Sequence, residues 1–117
     1  MANSQNFTIW RADTTTITCN IKNSDGSATD LSTAARVIWS LASEPGGDSL
    51  LAKTLISGIV ITSAVAGVLQ ITLDGLPDFD PITAGQYYHQ LFIDLGGGVT
   101  FIALEGRIIL KETTIKV

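Results

Sequence analysis

The chain contains one cysteine and one histidine, which supply its only thiol and its only imidazole. Two such ligands are too few for a tetrahedral zinc site. A nucleophilic pair of Cys19 and His89 is conceivable, but both residues occupy inward positions of strand-like patterns, where a buried thiol is inert. We therefore predict that Cys19 and His89 face each other across a core, as a small apolar side chain beside a neutral, hydrogen-bonded imidazole.

Three carboxylates lie in one polar, proline-containing loop, at Asp74, Asp78 and Asp80. Their oxygens could bind Ca²⁺, although the spacing is not that of an EF-hand and aspartate is common in turns for local hydrogen bonding. The sequence has no carboxylate pair typical of glycosidases, no Ser-His-Asp set and no glycine-rich loop entering a helix. We therefore predict a protein that is not an enzyme and needs no cofactor.

Period-two alternation of apolar and polar residues recurs along the chain, separated by turn residues, and long helical periodicity is absent. The pattern predicts about nine short strands, of which the fourth and fifth are expected to pair with each other. Glycines 96–98 predict a hairpin between the seventh and eighth strands. The predicted strands are residues 7–11, 14–22, 36–43, 50–55, 58–63, 67–73, 86–95, 99–104 and 106–113.

Four inward residues on these strands match the landmarks of an immunoglobulin-like sandwich. Cys19 lies on an early strand, Trp39 on the next long one, and Tyr87 two residues before His89, which occupies the second cysteine position of immunoglobulins. The Tyr87 hydroxyl is expected to bond back to loop backbone. The sequence therefore predicts an all-β fold, a single immunoglobulin-like antiparallel β-sandwich of about seven to nine strands over residues 7–117. Residues 1–6 are expected to form a flexible or interface arm.

Composition limits the classes of partner. Only 15% of the 117 residues are charged, against about 25% in typical domains, so the surface is either coated with small polar residues or covered in an assembly. The net charge is −4 and no basic run exists, so we expect no binding to nucleic acid. No apolar run is long enough to span a membrane, and the first residues do not resemble a signal peptide. We expect a soluble protein made in a reducing cytosol.

Outward apolar residues are the strongest functional signal. If Tyr87 and His89 point inward, then Tyr88 and Phe92 point outward on the same strand, and the same alternation turns Ile38 and Ile109 outward. A cluster of such residues on a sheet face indicates an interface. The competing interpretation is a register error of one residue, which would exchange the two faces.

Several short motifs follow one another along the chain in a recognisable order. They are Phe7-Thr8-Ile9, Asp13-Thr14, Asp25-Gly26, Asp30-Leu31-Ser32-Thr33-Ala34, Arg36-Val37-Ile38-Trp39-Ser40-Leu41, Pro45-Gly46-Gly47, Gly67, Ala84-Gly85-Gln86-Tyr87-Tyr88-His89 and Gly106. This order resembles the small immunoglobulin-like domains of tailed-bacteriophage virion proteins. It is similar in particular to the N-terminal domain of baseplate upper proteins and related tail-fibre adaptors, although this sequence does not include the helical and receptor-holding parts that follow there.

The resemblance implies a non-enzymatic structural protein of the virion, assembled in the bacterial host cytoplasm. It would bind other virion proteins in the tail, baseplate or fibre-attachment region, as a homo-oligomer or within a symmetric assembly. A capsid decoration protein on the phage head is the alternative within this class. A carbohydrate-binding module is the alternative outside it, with Trp10, Phe79, Tyr88 and the loop of residues 74–80 as the sugar contacts.

Overall fold

The structure is a computed structural model that describes residues 3–112. Two β-sheets pack face to face, and one short helix lies in the connection between them. The elements are β1 (Asn3–Ser4), β2 (Phe7–Trp10), β3 (Thr14–Asn20), β4 (Arg36–Ala42), β5 (Ser49–Thr54), β6 (Ile59–Ser63), β7 (Val68–Asp74), α1 (Leu76–Phe79), β8 (Gly85–Gly96) and β9 (Val99–Lys111).

The larger sheet has the order β1–β9–β8–β4–β5, with β2 continuing β1 along the same edge of β9, and the smaller sheet has the order β3–β7–β6. The chain crosses between the sheets after β2, β3, β5 and β7, and it forms antiparallel hairpins at β4–β5, β6–β7 and β8–β9. These crossings are the Greek-key connections of an immunoglobulin-like sandwich. The predicted fold class is therefore confirmed, with one difference: β1 and β2 pair with β9 in parallel, so the larger sheet is not wholly antiparallel.

Alternation along the strands places the core between the two sheets. Val37, Trp39 and Leu41 on β4 and Ile17 and Cys19 on β3 are all buried and belong to one core cluster. The Tyr87 hydroxyl donates to the carbonyl of Thr83, four residues earlier, which fixes the corner leading into β8 as predicted. The four predicted structural residues, Cys19, Trp39, Tyr87 and His89, are all buried.

Residues 3–6 belong to the sheet rather than to a separate flexible arm. Asn3 and Ser4 pair with Leu104 and Glu105, and the side chain of Asn6 accepts a hydrogen bond from the Arg107 backbone at 2.8 Å. The sequence pattern missed this edge because its residues are polar and too few to show alternation. Residues 1 and 2 of the predicted arm lie outside the described residues.

Gly106 allows this edge to pack closely. A Cβ built on Gly106 would overlap the carbonyl oxygen of Gln5, which occupies that space instead. Because Gly106 pairs with His89 in the register of β8 and β9, the missing side chain opens a path from the Gln5 carbonyl to the imidazole.

Two predicted strand relations are wrong. The strands predicted at 50–55 and 58–63 do not form a pair: β5 belongs to the larger sheet and β6 to the smaller one, and only an isolated bridge joins Thr54 to Gly58. The predicted break at residue 105 does not occur either, since β9 is continuous. A bulge in the β8–β9 pairing between Leu91 and Phe92 absorbs the change of alternation that suggested two strands.

We expect Gly106→Ala to destabilise the protein by about 1–3 kcal/mol, because the added methyl group competes with the Gln5 carbonyl for space. Urea denaturation measures the effect. In a chain that lacks residues 1–6, the same substitution should lower the free energy of unfolding much less, since the competing carbonyl is gone. An equal loss of stability in the full and the shortened chain would contradict the packing described for this edge.

We expect Tyr87→Phe to lower the free energy of unfolding by about 0.5–1.5 kcal/mol, because it removes the hydroxyl bond to Thr83 and retains the buried ring. Thr83→Val in the same assay is the control, since it removes only a side chain hydroxyl that contacts the Tyr87 hydroxyl and keeps the carbonyl that accepts from it. A Tyr87→Phe variant as stable as the wild type would show that the corner does not depend on this hydrogen bond.

Candidate interaction surface

The four residues predicted for an interface do face outward from the larger sheet. Ile38, Tyr88 and Phe92 are half-buried, and Ile109 is 46% exposed. None of the four packs against the core cluster. The predicted inward and outward directions therefore agree with the structure on β4, β8 and β9. We call the solvent-facing side of the larger sheet the outer face.

An apolar row crosses the outer face. Ile38, Phe92 and Ile102 lie next to one another in the register of β4, β8 and β9. The guanidinium of Arg36 lies 5.5 Å from the centre of the Phe92 ring and pairs with Asp94 at 3.2 Å. We call Ile38, Phe92 and Ile102 the apolar row.

The structure does not bring Ile109 and Tyr88 into this row. Ile109 pairs with Gln86, and Tyr88 pairs with Ala42 and Arg107, so both lie at the level of the first residues of β8, below Phe92. Trp10 extends the apolar surface at the edge strand, where it is 45% exposed and lies beneath the Lys111 ammonium. The outer face therefore carries apolar residues at two levels, with polar and charged residues between them.

A groove of about 340 Å³ occupies the middle of the outer face. Ser40, Tyr88 and Gln90 contribute to its floor, and the turn from Glu44 to Gly47 forms one wall. Glu44 and Glu105 both line it, and neither carboxylate forms an ion pair or side-chain hydrogen bond within residues 3–112. The groove is thus acidic, has an aromatic residue, and is of the size that ligand sites have. Sequence analysis missed it, since Glu44 and Glu105 are 61 positions apart in a 117-residue chain.

Beneath the outer face, His89 is held by hydrogen bonds at both ring nitrogens. The indole Nε1 of Trp39 lies 3.1 Å from His89 Nδ1, and the Gln5 carbonyl lies 2.7 Å from His89 Nε2. An indole N–H can only donate, so Nδ1 must accept, and Nε2 carries the proton that it donates to Gln5. The imidazole is neutral in this arrangement, and burial lowers its pKa.

These contacts argue against a cysteine–histidine pair. Both nitrogens of His89 are engaged by Trp39 and Gln5, which leaves none to activate a thiol. Burial raises the pKa of the Cys19 thiol to about 11, so the thiol stays protonated near neutral pH. These contacts agree with the expectation of a neutral, hydrogen-bonded histidine, and they identify its partners as Trp39 and Gln5.

The predicted calcium loop is organised around a lysine. The Lys53 ammonium is buried and lies 2.8 Å from one carboxylate oxygen of Asp78, with Asp74 further away at 3.9 Å. Asp78 also accepts from the backbone N–H of Asp74. Within residues 3–112, no group of three histidine, cysteine or acidic residues is placed to hold a metal ion. Asp74 and Asp78 therefore belong to a turn held by a buried ion pair, and Lys53 competes with any cation for the calcium candidate Asp74, Asp78 and Asp80.

The sugar contacts predicted for a carbohydrate module are not brought together. Phe79 is fully buried in the core, and Asp78 is occupied by Lys53. Trp10 lies on the edge strand β2, and three strands of the larger sheet separate it from Lys53 on β5. Only Tyr88 of that set lines the groove.

Sequence reasoning missed Lys53 and Arg11 as structural residues. Arg11 donates to the carbonyls of Phe79 and Ile82 and pairs with Glu112 at 2.8 Å, joining the end of β2 to the loop after α1. A signal for Lys53 was available, since it lies midway between Leu51 and Leu55 in a period-two pattern and must therefore point inward. Arg11 gave no such signal, because its partners are distant backbone carbonyls.

Comparison with known proteins does not assign a family. No family model matches the chain, and no curated protein matches its sequence. In the described part of the chain, no helix is long and apolar enough to cross a membrane.

We expect stability to fall as the pH drops below about 6.5, the ordinary value for an unfolded histidine. Because the pKa of His89 is lower in the folded protein, the unfolded chain binds the proton first, so stability is full above that value and decreases toward the folded pKa. The pKa values of Asp25, Asp30 and Asp94 lie below the ordinary aspartate value. The stability that these carboxylates contribute is therefore lost at a lower pH than the stability that depends on His89.

Proton NMR of the untagged chain measures this directly, since His89 is the only histidine. The imidazole resonance should titrate below pH 6.5, or shift only as the fold is lost. His89→Gln is the matched variant, and its stability should be flat between pH 5 and 7 by urea denaturation. A midpoint at or above 6.5 in the folded protein would contradict the assignment of a buried neutral ring.

Proposed function

We propose that this chain is a non-enzymatic structural protein of a tailed-phage virion, which binds neighbouring subunits in the tail, baseplate or fibre-attachment region through its outer face. The outer face is the observation that carries the contact function. Its apolar row, together with Ile109 and Trp10 at a second level of the same face, gives a sheet surface that water solvates poorly. The virion context is supported by the resemblance of the sequence motifs.

Burial of the outer face is favourable because apolar area gains about 25 cal/mol for each Å² removed from water. The low charge content of the chain points in the same direction, since fewer ions must be desolvated at a contact. In a symmetric particle each contact is repeated, so a surface of modest area is sufficient for assembly.

The chemistry of the titratable groups supports a role without catalysis. The His89 nitrogens are both used, the Cys19 thiol is buried with a raised pKa, and the Asp78 carboxylate is neutralised by Lys53. None of these groups is free to act as a nucleophile or a general base toward a substrate.

Two other functions fit parts of the surface. A capsid decoration protein would use the same outer face, and its position on the particle distinguishes it from a tail component. A carbohydrate-binding module is favoured by the groove alone, in which Tyr88 could stack on a sugar ring while Gln90 and Glu105 accept or donate hydrogen bonds.

We expect Phe92→Asp and Ile109→Asp each to reduce incorporation of the chain into particles by at least about tenfold, because each places a charge in a contact that must exclude water. Quantitative immunoblotting of gradient-purified particles measures incorporation. Immunogold electron microscopy of the wild-type chain shows its position, with label at the tail tip or fibres expected and label over the head favouring decoration.

Val60→Asp is the matched control. Val60 is 62% exposed on β6 of the smaller sheet, so the same charge there should leave incorporation unchanged. Thermal unfolding of each variant separates a lost contact from a lost fold. Particles that carry no wild-type chain would overturn the virion proposal, and binding to a glycan array would then favour the carbohydrate function.

A further inference from the structure

We propose that a second copy of this chain docks on the outer face with two-fold symmetry, and that Arg107 of each copy enters the acidic groove of the other. This inference rests on the proposed function only in taking the outer face as a contact surface. It goes further in naming the partner, the register and the charged groups that set it.

Charge complementarity is the first support. Glu44 and Glu105 line the groove without a cation, and the Arg107 guanidinium forms no ion pair or hydrogen bond within residues 3–112. Arg107 and Glu105 lie two positions apart on the same side of β9, yet they do not pair with each other. Opposite charges that remain unpaired on one surface are self-complementary when that surface meets its own copy. The planar guanidinium is also well suited to bind carboxylates.

The register of the strands gives the second support. A two-fold axis that lies in the interface and runs along β8 places β9 of each copy over β4 of the other. Ile102 then faces Ile38 of the second copy, and Phe92 faces Phe92 of the second copy, so the apolar row meets itself. Sheets that pack with nearly parallel strands are a common arrangement, with an angle of about 30° between them.

The same axis directs Arg107 to the groove. Ala42, Tyr88 and Arg107 are at one level of the larger sheet, so Arg107 lies over Ala42 of the second copy. Ala42 lines the groove beside Glu44 and Tyr88, and its short side chain leaves room for a guanidinium. Tyr88 offers its ring as a further contact for the cation.

The area is sufficient for a specific but modest dimer. Five strand positions spaced by about 4.8 Å and about seven residues of about 3.3 Å give a footprint of roughly 550 Å² per copy. Specific complexes bury about 800 Å² per partner, and weaker ones bury less. We therefore expect a dimer that dissociates on dilution.

The test is sedimentation velocity over a range of concentrations, with two complementary variants. One chain carries Arg107→Glu, and the other carries Glu44→Arg together with Glu105→Arg. Each variant alone should dimerise at least about tenfold more weakly than the wild type, because both contacts then bring like charges together. An equimolar mixture should regain dimers, since each groove then receives an arginine or glutamate of opposite charge. Lys22→Glu, an exposed change after β3 of the smaller sheet, should have no effect.

A wild-type chain that remains monomeric at high concentration would overturn the proposal, as would a mixture that stays monomeric while each variant is folded by circular dichroism. The particle experiment distinguishes this failure from that of the proposed function. If the wild-type chain is monomeric but its Phe92→Asp variant is lost from particles, the dimer proposal fails and the outer face still binds a different partner in the virion. If mixing the variants restores the dimer but the chain is absent from particles, the dimer proposal is supported and the virion assignment is overturned.

Discussion

The buried hydrogen bonds of His89 are the constraint on which the rest of this fold depends. The imidazole joins Trp39 on β4 to the Gln5 carbonyl at the N-terminal edge, so three strands of the larger sheet meet at one side chain. Immunoglobulins place a disulfide at this position, which holds the two sheets together. Here the link lies within one sheet and between neutral groups, so it depends on the protonation state of a single ring and on the exclusion of water around it.

Several features of the sequence follow from that link. Gly106 has no side chain because the Gln5 carbonyl must pass over it to reach the ring. The edge strand must run parallel to β9 so that Gln5 falls opposite Gly106, and the pairing of Phe7 with Ile108 continues that register toward Arg11. Arg11 then fastens the end of the edge to the loop after α1 through backbone carbonyls. The N-terminal segment is thereby integrated into the sheet, which also shields one edge of β9 from other chains.

The sequence predicts what depends on local alternation and misses what depends on distant partners. The outward directions of Ile38, Tyr88, Phe92 and Ile109 were predictable, because period two along a strand is a local property. The Tyr87 corner was predictable because its partner is only four residues away. Three other contacts were not predictable: the pairing of residues 3–6 with β9, the bond of His89 to Gln5 and the ion pair of Lys53 with Asp78. Each joins segments that are far apart in sequence, and a local pattern does not specify which distant segments meet. The acidic groove is of the same kind.

The inner and outer faces of the larger sheet differ in how their polar and charged groups are paired. On the inner side, no buried side-chain nitrogen or oxygen within residues 3–112 is left without a hydrogen-bond partner. On the outer side Glu44, Glu105 and Arg107 form no ion pair within residues 3–112, and they lie next to half-buried apolar residues. In a free monomer, such charges would gain little by pairing with each other, because solvent-exposed ion pairs contribute at most about 1 kcal/mol. In the proposed dimer these charges, held apart on one face beside apolar area, instead set the register of the contact, where desolvation makes a mismatch costly.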